Sequence, residues 1–266
     1  MNTRHTGPSI NDWKQFNRHV RDRKIPLLKR LSDFSDPILV GGCQRSGTTM
    51  ISRIITNSEG MVNYYFSNRD ELDAAQILCG SVEYKPNGRH CFQTTYLNDS
   101  YHEYFEHKGE YKLLWILRNP QSVVYSLLNN WRRFALTNLF EACGEKYLGS
   151  LQRNLYRIVG PIAVNRLQRA CLAYNGKVSQ TFELYEKLGK DQLLILDYDQ
   201  IIASKEIFIP AIYKFINLNY RAEYSKSIHS SSRNKANKLS RYQARIIHDL
   251  CDPVYTKARS LISDFK

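Results

Sequence analysis

The sequence predicts an α/β fold: a three-layer sandwich with a central parallel β-sheet, a phosphate-binding loop and helical additions. Three observations lead there. The apolar runs Ile38–Val40, Tyr111–Leu117 and Asp191–Leu196 have the length and branching of buried parallel strands. Each is followed by apolar residues at helical spacing: Met50, Ile51, Ile54 and Ile55; Val123, Val124, Leu127, Leu128 and Trp131; Ile207, Ile212, Phe215 and Ile216. Strands that alternate with helices call for crossovers and hence a parallel sheet. Finally, Gly41, Gly42 and Gly47 bracket a polar turn between the first strand and its helix. Glycines there let successive backbone N–H groups face an anion, and the helix dipole adds to their field.

Residues 1–36 are polar and basic, with Trp13, Phe16 and Val20 spaced for a short helix before Pro26, and form an N-terminal extension. After the first strand and its helix, 57–67 is expected to run extended to the edge of the sheet. Asn68 with Glu71 three places on reads as a capping-box variant before Leu72–Leu78. Pro86-Asn87-Gly88 marks a turn, and Arg89–Thr95 reads as a further strand. Asp99 or Ser100 then caps a helix holding Tyr101, Tyr104 and Phe105. Pro120, just after the Tyr111–Leu117 strand, suits the first turn of the next helix. Residues 137–189 form a helical insert region rich in arginine, punctuated at Gly160-Pro161 and at Asn175-Gly176. Ser225–Lys238 has no apolar rhythm and reads as a loop, and Leu239–Ile262 is helical again. With no repeats and no low-complexity linker, residues 1–266 are expected to form a single domain.

The turn decides the chemistry. Gly42–Thr49 has the glycine spacing of a triphosphate loop, G-x-x-x-x-G-K-[ST], so a P-loop-NTPase-like fold is expected. Yet Thr48 stands where the lysine is required, and the cation lies inside the turn as Arg45. Cys43-Gln-Arg-Ser-Gly-Thr-Thr49 resembles the 5′-phosphosulfate loop of sulfotransferases, enzymes that use 3′-phosphoadenosine 5′-phosphosulfate (PAPS). A second match follows: in that family an arginine at a strand tip and a serine in the next helix hold the 3′-phosphate. Arg118 and Ser126 resemble that pair. An arginine fork can grip two phosphate oxygens and a hydroxyl on the next helix a third.

The resemblance implies a sulfotransferase that moves a sulfuryl group from PAPS to a hydroxyl or amine of a carbohydrate, lipid or small metabolite, with no metal required. It implies that Arg45, Ser46, Gly47, Thr48, Thr49, Arg118 and Ser126 bind the nucleotide, joined by Arg233 and Lys235 in the loop that the family closes over it. Arg45 would also act on the moving group. No histidine stands where cytosolic relatives keep their base, near Gln93-Thr94-Thr95, and Golgi-type relatives use a glutamate past the loop helix. Glu71 is therefore the leading base, ahead of Glu59, Asp70 and His102, with a pKa expected to be lowered beside Arg45. Thr94, Thr95 and His102 are expected on the acceptor side. Asp197 and Asp199, which resemble a metal-binding aspartate after a strand, are assigned a structural role because the loop lysine is missing.

The formal charge of +13, from 38 basic against 25 acidic residues, calls for an anionic partner. Nucleic acid, an acidic membrane face, a polyanionic glycan and a charged nucleotide all qualify, and two rivals stay open: a nucleotide-triphosphate-dependent phosphotransferase and a non-catalytic polyanion binder. No recognised nucleic-acid module is present, so nucleic acid is not the expected partner. Six cysteines without C-x-x-C pairs or metal-type spacing read as buried small hydrophobes of a reducing compartment. With no signal-peptide core in 1–36 and no apolar run of membrane-spanning length, a cytoplasmic protein is expected.

Overall fold

The computed structural model describes residues 4–5, 10–67, 69–226, 228 and 233–262, the side chains of 4–5 and 233–235 excepted. In chain order its strands are β1 (Arg4–His5), β2 (Ile38–Gly42), β3 (Val82–Glu83), β4 (Cys91–Gln93), β5 (Lys112–Leu117) and β6 (Leu193–Asp197). The helices are α1 (Trp13–Arg23), α2 (Thr48–Thr56), α3 (Asp70–Cys79), α4 (Glu103–Glu106), α5 (Pro120–Asn129), α6 (Arg133–Leu139), α7 (Ser150–Val159), α8 (Arg166–Leu188), α9 (Tyr198–Ala203), α10 (Lys205–Phe215) and α11 (Arg241–Arg259). Four strands form a parallel sheet in the order β4-β2-β5-β6. A small antiparallel pair, β1 with β3, has no counterpart in the sequence reading.

Alternation along the central strands makes the three layers. On β5, Leu113, Trp115 and Leu117 enter one core with α1, α3, α5, α8 and α11, while Leu114 and Ile116 enter a second with α2, α9 and α10. Leu39 of β2 and Ile195 of β6 join the first core; Ile38, Val40, Leu194 and Leu196 join the second. A strand buried on both faces has no polar side to show, so the runs were continuous rather than alternating in sequence. Phe16, Leu28 and Leu31 of the N-terminal extension are buried in the larger core, so this segment is packed into the body of the protein.

Several local expectations are corrected. Residues 57–67 contribute only one bridge, Met61 to Arg89, and otherwise form no strand. Asn68 lies outside the described residues, and the residue before α3, Arg69, makes no side-chain cap. Asp99 and Ser100 cap nothing: Thr95–His102 is a 3₁₀ stretch broken at Asn98 (φ 41°, ψ −111°), and only the short α4 follows. Gly160 does break the chain, at φ 69°, but Asn175-Gly176 does not. Gly176 sits inside continuous α8, where a Cβ would lie 2.0 Å from the Cys143 carbonyl oxygen; it is needed for close packing against the Phe140–Gly144 π-turn. Within Ser225–Lys238, Arg233–Lys238 forms a short 3₁₀ piece, and another, Ala222–Ser225, ends where the segment begins. The six cysteines are all buried and free. Among the described residues no helix is long and apolar enough to cross a membrane.

Candidate functional site

The site lies at the carboxyl ends of β2 and β5, where an open α/β sheet presents its crevice. Leaving β2, the chain takes φ 134° at Gly42, 72° at Arg45 and 94° at Gly47. An arginine in the left-handed region is uncommon and holds some strain, which a folded protein tolerates where geometry serves a site. At Gly42 a Cβ would meet the Ile116 carbonyl oxygen at 2.4 Å, and at Gly47 it would meet the Tyr198 ring at 2.2 Å. Thr48 and Thr49 then open α2, and no side chain among the described residues caps that end. The first amides of a helix have no intrahelical acceptor, so they are available to an anion. Ser46 adds a buried hydroxyl that has no partner among the described residues.

The two arginines singled out in the sequence meet at this turn. Arg45 Nε donates to Ser126 Oγ at 3.0 Å, across 81 residues of chain. Arg118 donates to the Arg45 carbonyl at 3.1 Å and stacks over the Tyr198 ring, with 4.4 Å to the centroid. Arg118 is buried, and burial lowers its pKa against support from Tyr198 and Asp199. Ser126 is placed by α5, whose first turn is set by Pro120 and by Asn119 capping the Gln121 and Ser122 amides at 2.9 and 3.3 Å. A cleft of about 230 Å³ is lined by Arg45, Gly47, Thr48, Thr49 and Arg118, with Gln44, Glu71, Gln93, Thr95, Trp131 and Tyr198 completing its wall.

Glu71 faces this cleft rather than capping α3. Its carboxylate accepts from the Thr95 hydroxyl, and burial pushes its pKa up to about 7, outweighing the Thr95 bond and the positive charges of Lys177 and Arg45. The expected lowering by Arg45 is therefore reversed: desolvation dominates. Lys177, from the middle of α8, is only 1% exposed. It donates to the Thr95 carbonyl at 3.3 Å, and burial lowers its pKa. The same carbonyl accepts from Gln44 Nε2 at 3.0 Å, and Gln44 also donates to Asn98 Oδ1 at 2.9 Å. Thr95 is thus fixed from the phosphate loop, from α8 and by its own bond to Glu71. Gln93 Nε2 donates to Thr48 Oγ1 at 3.2 Å, tying β4 to the start of α2.

In fold the chain is similar to the sulfotransferase domain from the curacin biosynthetic pathway, at 10% identity over 87% of this chain and 94% of that one, with a TM-score of 0.50. It is likewise similar to a mouse sulfotransferase complexed with 3′,5′-bisphosphoadenosine (PAP), at 13% identity over 89% and 92% of the two chains and a TM-score of 0.50. The chain has the sulfotransferase fold. No protein-family model matches it, and no curated protein matches it in sequence.

Within this sulfotransferase fold the remaining sequence candidates part company. Thr94 is fully buried; its hydroxyl pairs with the Tyr104 hydroxyl at 2.7 Å and is not part of the cleft lining. The His102 side chain is exposed, 4.0 Å from Glu106, and is not part of the cleft lining. Asp70 bonds Arg53 Nε at 2.7 Å, and Glu59 pairs with Arg221 on the surface. The side chains of Arg233 and Lys235 lie outside the described residues. Asp197 is consumed by the structure: Oδ1 caps α9 through the Asp199 and Gln200 amides, while Oδ2 accepts from Tyr255 at 2.6 Å and Arg259 at 3.0 Å. Asp199 accepts from the Asn119 amide at 3.0 Å. Lys177, Gln44, Gln93, Trp131 and Tyr198 were not assigned to the site from the sequence. Lys177 left one signal there: a charge at a position that helical phasing puts on the apolar face of α8, between Tyr174 and Val178.

Proposed function

We propose that the protein is a sulfotransferase that takes the sulfuryl group of PAPS to a hydroxyl or amine of a carbohydrate, lipid or small-metabolite acceptor. One observation carries the reading: Arg45 and Arg118 line a single cleft at the glycine turn, and the buried Ser126 hydroxyl directly behind it bonds Arg45. The donor set fits a nucleotide with phosphates at two positions, and the buried Ser46 hydroxyl, without a partner among the described residues, is one more donor at the turn. The mouse protein of the same fold is complexed with PAP, which supports the same ligand. PAPS supplies an activated sulfuryl group whose acceptance by a nucleophile is a displacement akin to phosphoryl transfer.

The chain's own residues then divide the work. The Thr48 and Thr49 amides and Ser46 hold the 5′ side, and Arg118 with Ser126 holds the 3′-phosphate. Arg45 neutralises charge that builds beside the loop, a preorganised contribution. Glu71, poised near neutrality in a partly desolvated wall, accepts the proton of the attacking hydroxyl at its carboxylate. Lys177 and Gln44 hold Thr95, and Thr95 holds Glu71. The triphosphate alternative is weakened by Thr48 in the lysine position and by the full occupancy of both Asp197 oxygens.

The test is thermal shift with PAP against ATP and Mg²⁺: PAP at 100 times its Kd should stabilise by ~2.7 kcal/mol. Greater stabilisation by ATP with Mg²⁺ would overturn the reading. Arg118→Ala should then weaken PAP far more than adenosine 5′-monophosphate, by ~1.5–3 kcal/mol for one charge-assisted contact. Equal weakening of both ligands would remove Arg118 from the 3′-phosphate.

A further inference from the structure

Helix α7 turns its apolar side outward. Tyr156, its buried residue, packs edge-on against Phe140 at 5.1 Å and bonds Glu141 at 3.0 Å, which fixes the inward face. Leu151, Leu155 and Ile158 fall on the opposite side, within ~60° of one another at ~100° per residue. Leu151 is 85% exposed and Ile158 81%. The stripe continues past the Gly160 break into Ile162, which is 90% exposed. Scattered exposed apolar residues are ordinary, but a contiguous stripe of large ones marks a contact surface.

Charge selects what it contacts. Four residues beyond Ile162, Arg166 begins α8, and burial together with the neighbouring charges of Arg133 and Arg169 lowers its pKa. Arg166 donates to the Trp131 carbonyl at 3.3 Å, so the exposed run Arg132-Arg133-Phe134 lies beside the start of α8, four residues along the chain from Ile162. A two-fold pairing of two copies that brought these arginines close to their counterparts would set like charges against each other. An anionic layer with an apolar interior suits both parts at once. We propose that the α7 stripe and the arginines at Arg132 and Arg133 dock the protein on an anionic lipid surface. Trp131, in the wall of the cleft, immediately precedes those arginines, so docking brings the cleft mouth close to the headgroups. The proposal concerns binding and does not depend on the transfer reaction.

The experiment is co-sedimentation of the full chain with vesicles of phosphatidylcholine alone and of phosphatidylcholine mixed with phosphatidylglycerol. The protein should pellet with the anionic vesicles, less so as salt rises. Leu151→Asp with Ile158→Asp should cut partitioning by ~10-fold or more at an unchanged melting temperature, since neither side chain packs in the core. Arg132→Ala and Arg133→Ala should each lower it ~5-fold and flatten the salt dependence. Wild-type protein that stays in the supernatant with anionic vesicles, or a double-Asp variant that pellets like wild type, overturns the proposal. A dimer that the double-Asp variant converts to monomer, with vesicles capturing neither form, would assign the stripe to a second copy of the chain instead.

Discussion

Glu71→Gln separates proton acceptance from everything else that Glu71 does. Burial raises the carboxyl from its ordinary 4.5 to about 7 in the folded protein, so folded and unfolded chains bind different numbers of protons between those values. Well below that window both states are protonated and the residue costs nothing. Across it the unfolded chain releases its proton while the folded one keeps it, so wild-type stability falls as pH rises. At 1.36 kcal/mol per pH unit, the full window corresponds to about 3 kcal/mol as an upper limit. Glutamine keeps the shape and can still accept from Thr95, but it carries no charge to bury. Urea unfolding should therefore show the variant gaining on wild type from near zero at about pH 4 to as much as ~3 kcal/mol at about pH 8. PAP affinity should be unchanged while transfer is abolished, and wild-type kcat/KM should rise with pH through about 7 as Glu71 ionises. A stability difference that ignores pH, or a variant that still turns over, refutes the reasoning. A variant less stable at every pH would make Glu71 a structural anchor for Thr95.

Arg45→Ala should depress kcat by ~10²-fold or more, the loss of a preorganised charge; near-normal single-turnover rates would remove it from the mechanism. Lys177→Met deletes a positive charge that holds the Glu71 pKa down, so the acid limb of the kcat/KM profile should move to higher pH. An unmoved limb would leave Lys177 as a hydrogen-bond donor to Thr95 and nothing more. Gly47→Ala puts a Cβ at φ 94° and 2.2 Å from the Tyr198 ring; a cost of ~1–3 kcal/mol should appear as a lower melting temperature and weaker PAP binding. Wild-type values for both would mean that the turn relaxes freely.

The sequence by itself determined the parallel strands, the glycine turn and the Arg118–Ser126 spacing, because each is a local pattern. A run of Leu, Ile and Trp from 113 to 117 has to be buried on both faces, and no partner needs naming to see it. The meeting of Arg45 with Ser126 follows once both are placed at the sheet's carboxyl edge. The tertiary structure alone decided the wall opposite the loop. Glu71 and Asn68 fit a capping pattern as written, yet Glu71 turns to Thr95, and its pKa moves opposite to the expected direction because burial outweighs the attraction of Arg45. Thr94 and Thr95 are neighbours in sequence, but where the chain leaves β4 and enters the 3₁₀ stretch one hydroxyl meets Tyr104 in the core and the other Glu71 in the cleft. Lys177 comes from a helix about 80 residues beyond Thr95, and its links to the site are a hydrogen bond across that gap and its charge near Glu71. Spacing along a chain encodes which face of an element a residue shares. Desolvation and long-range hydrogen bonds depend on what the other elements bring to that face, and those exist only once the layers have packed.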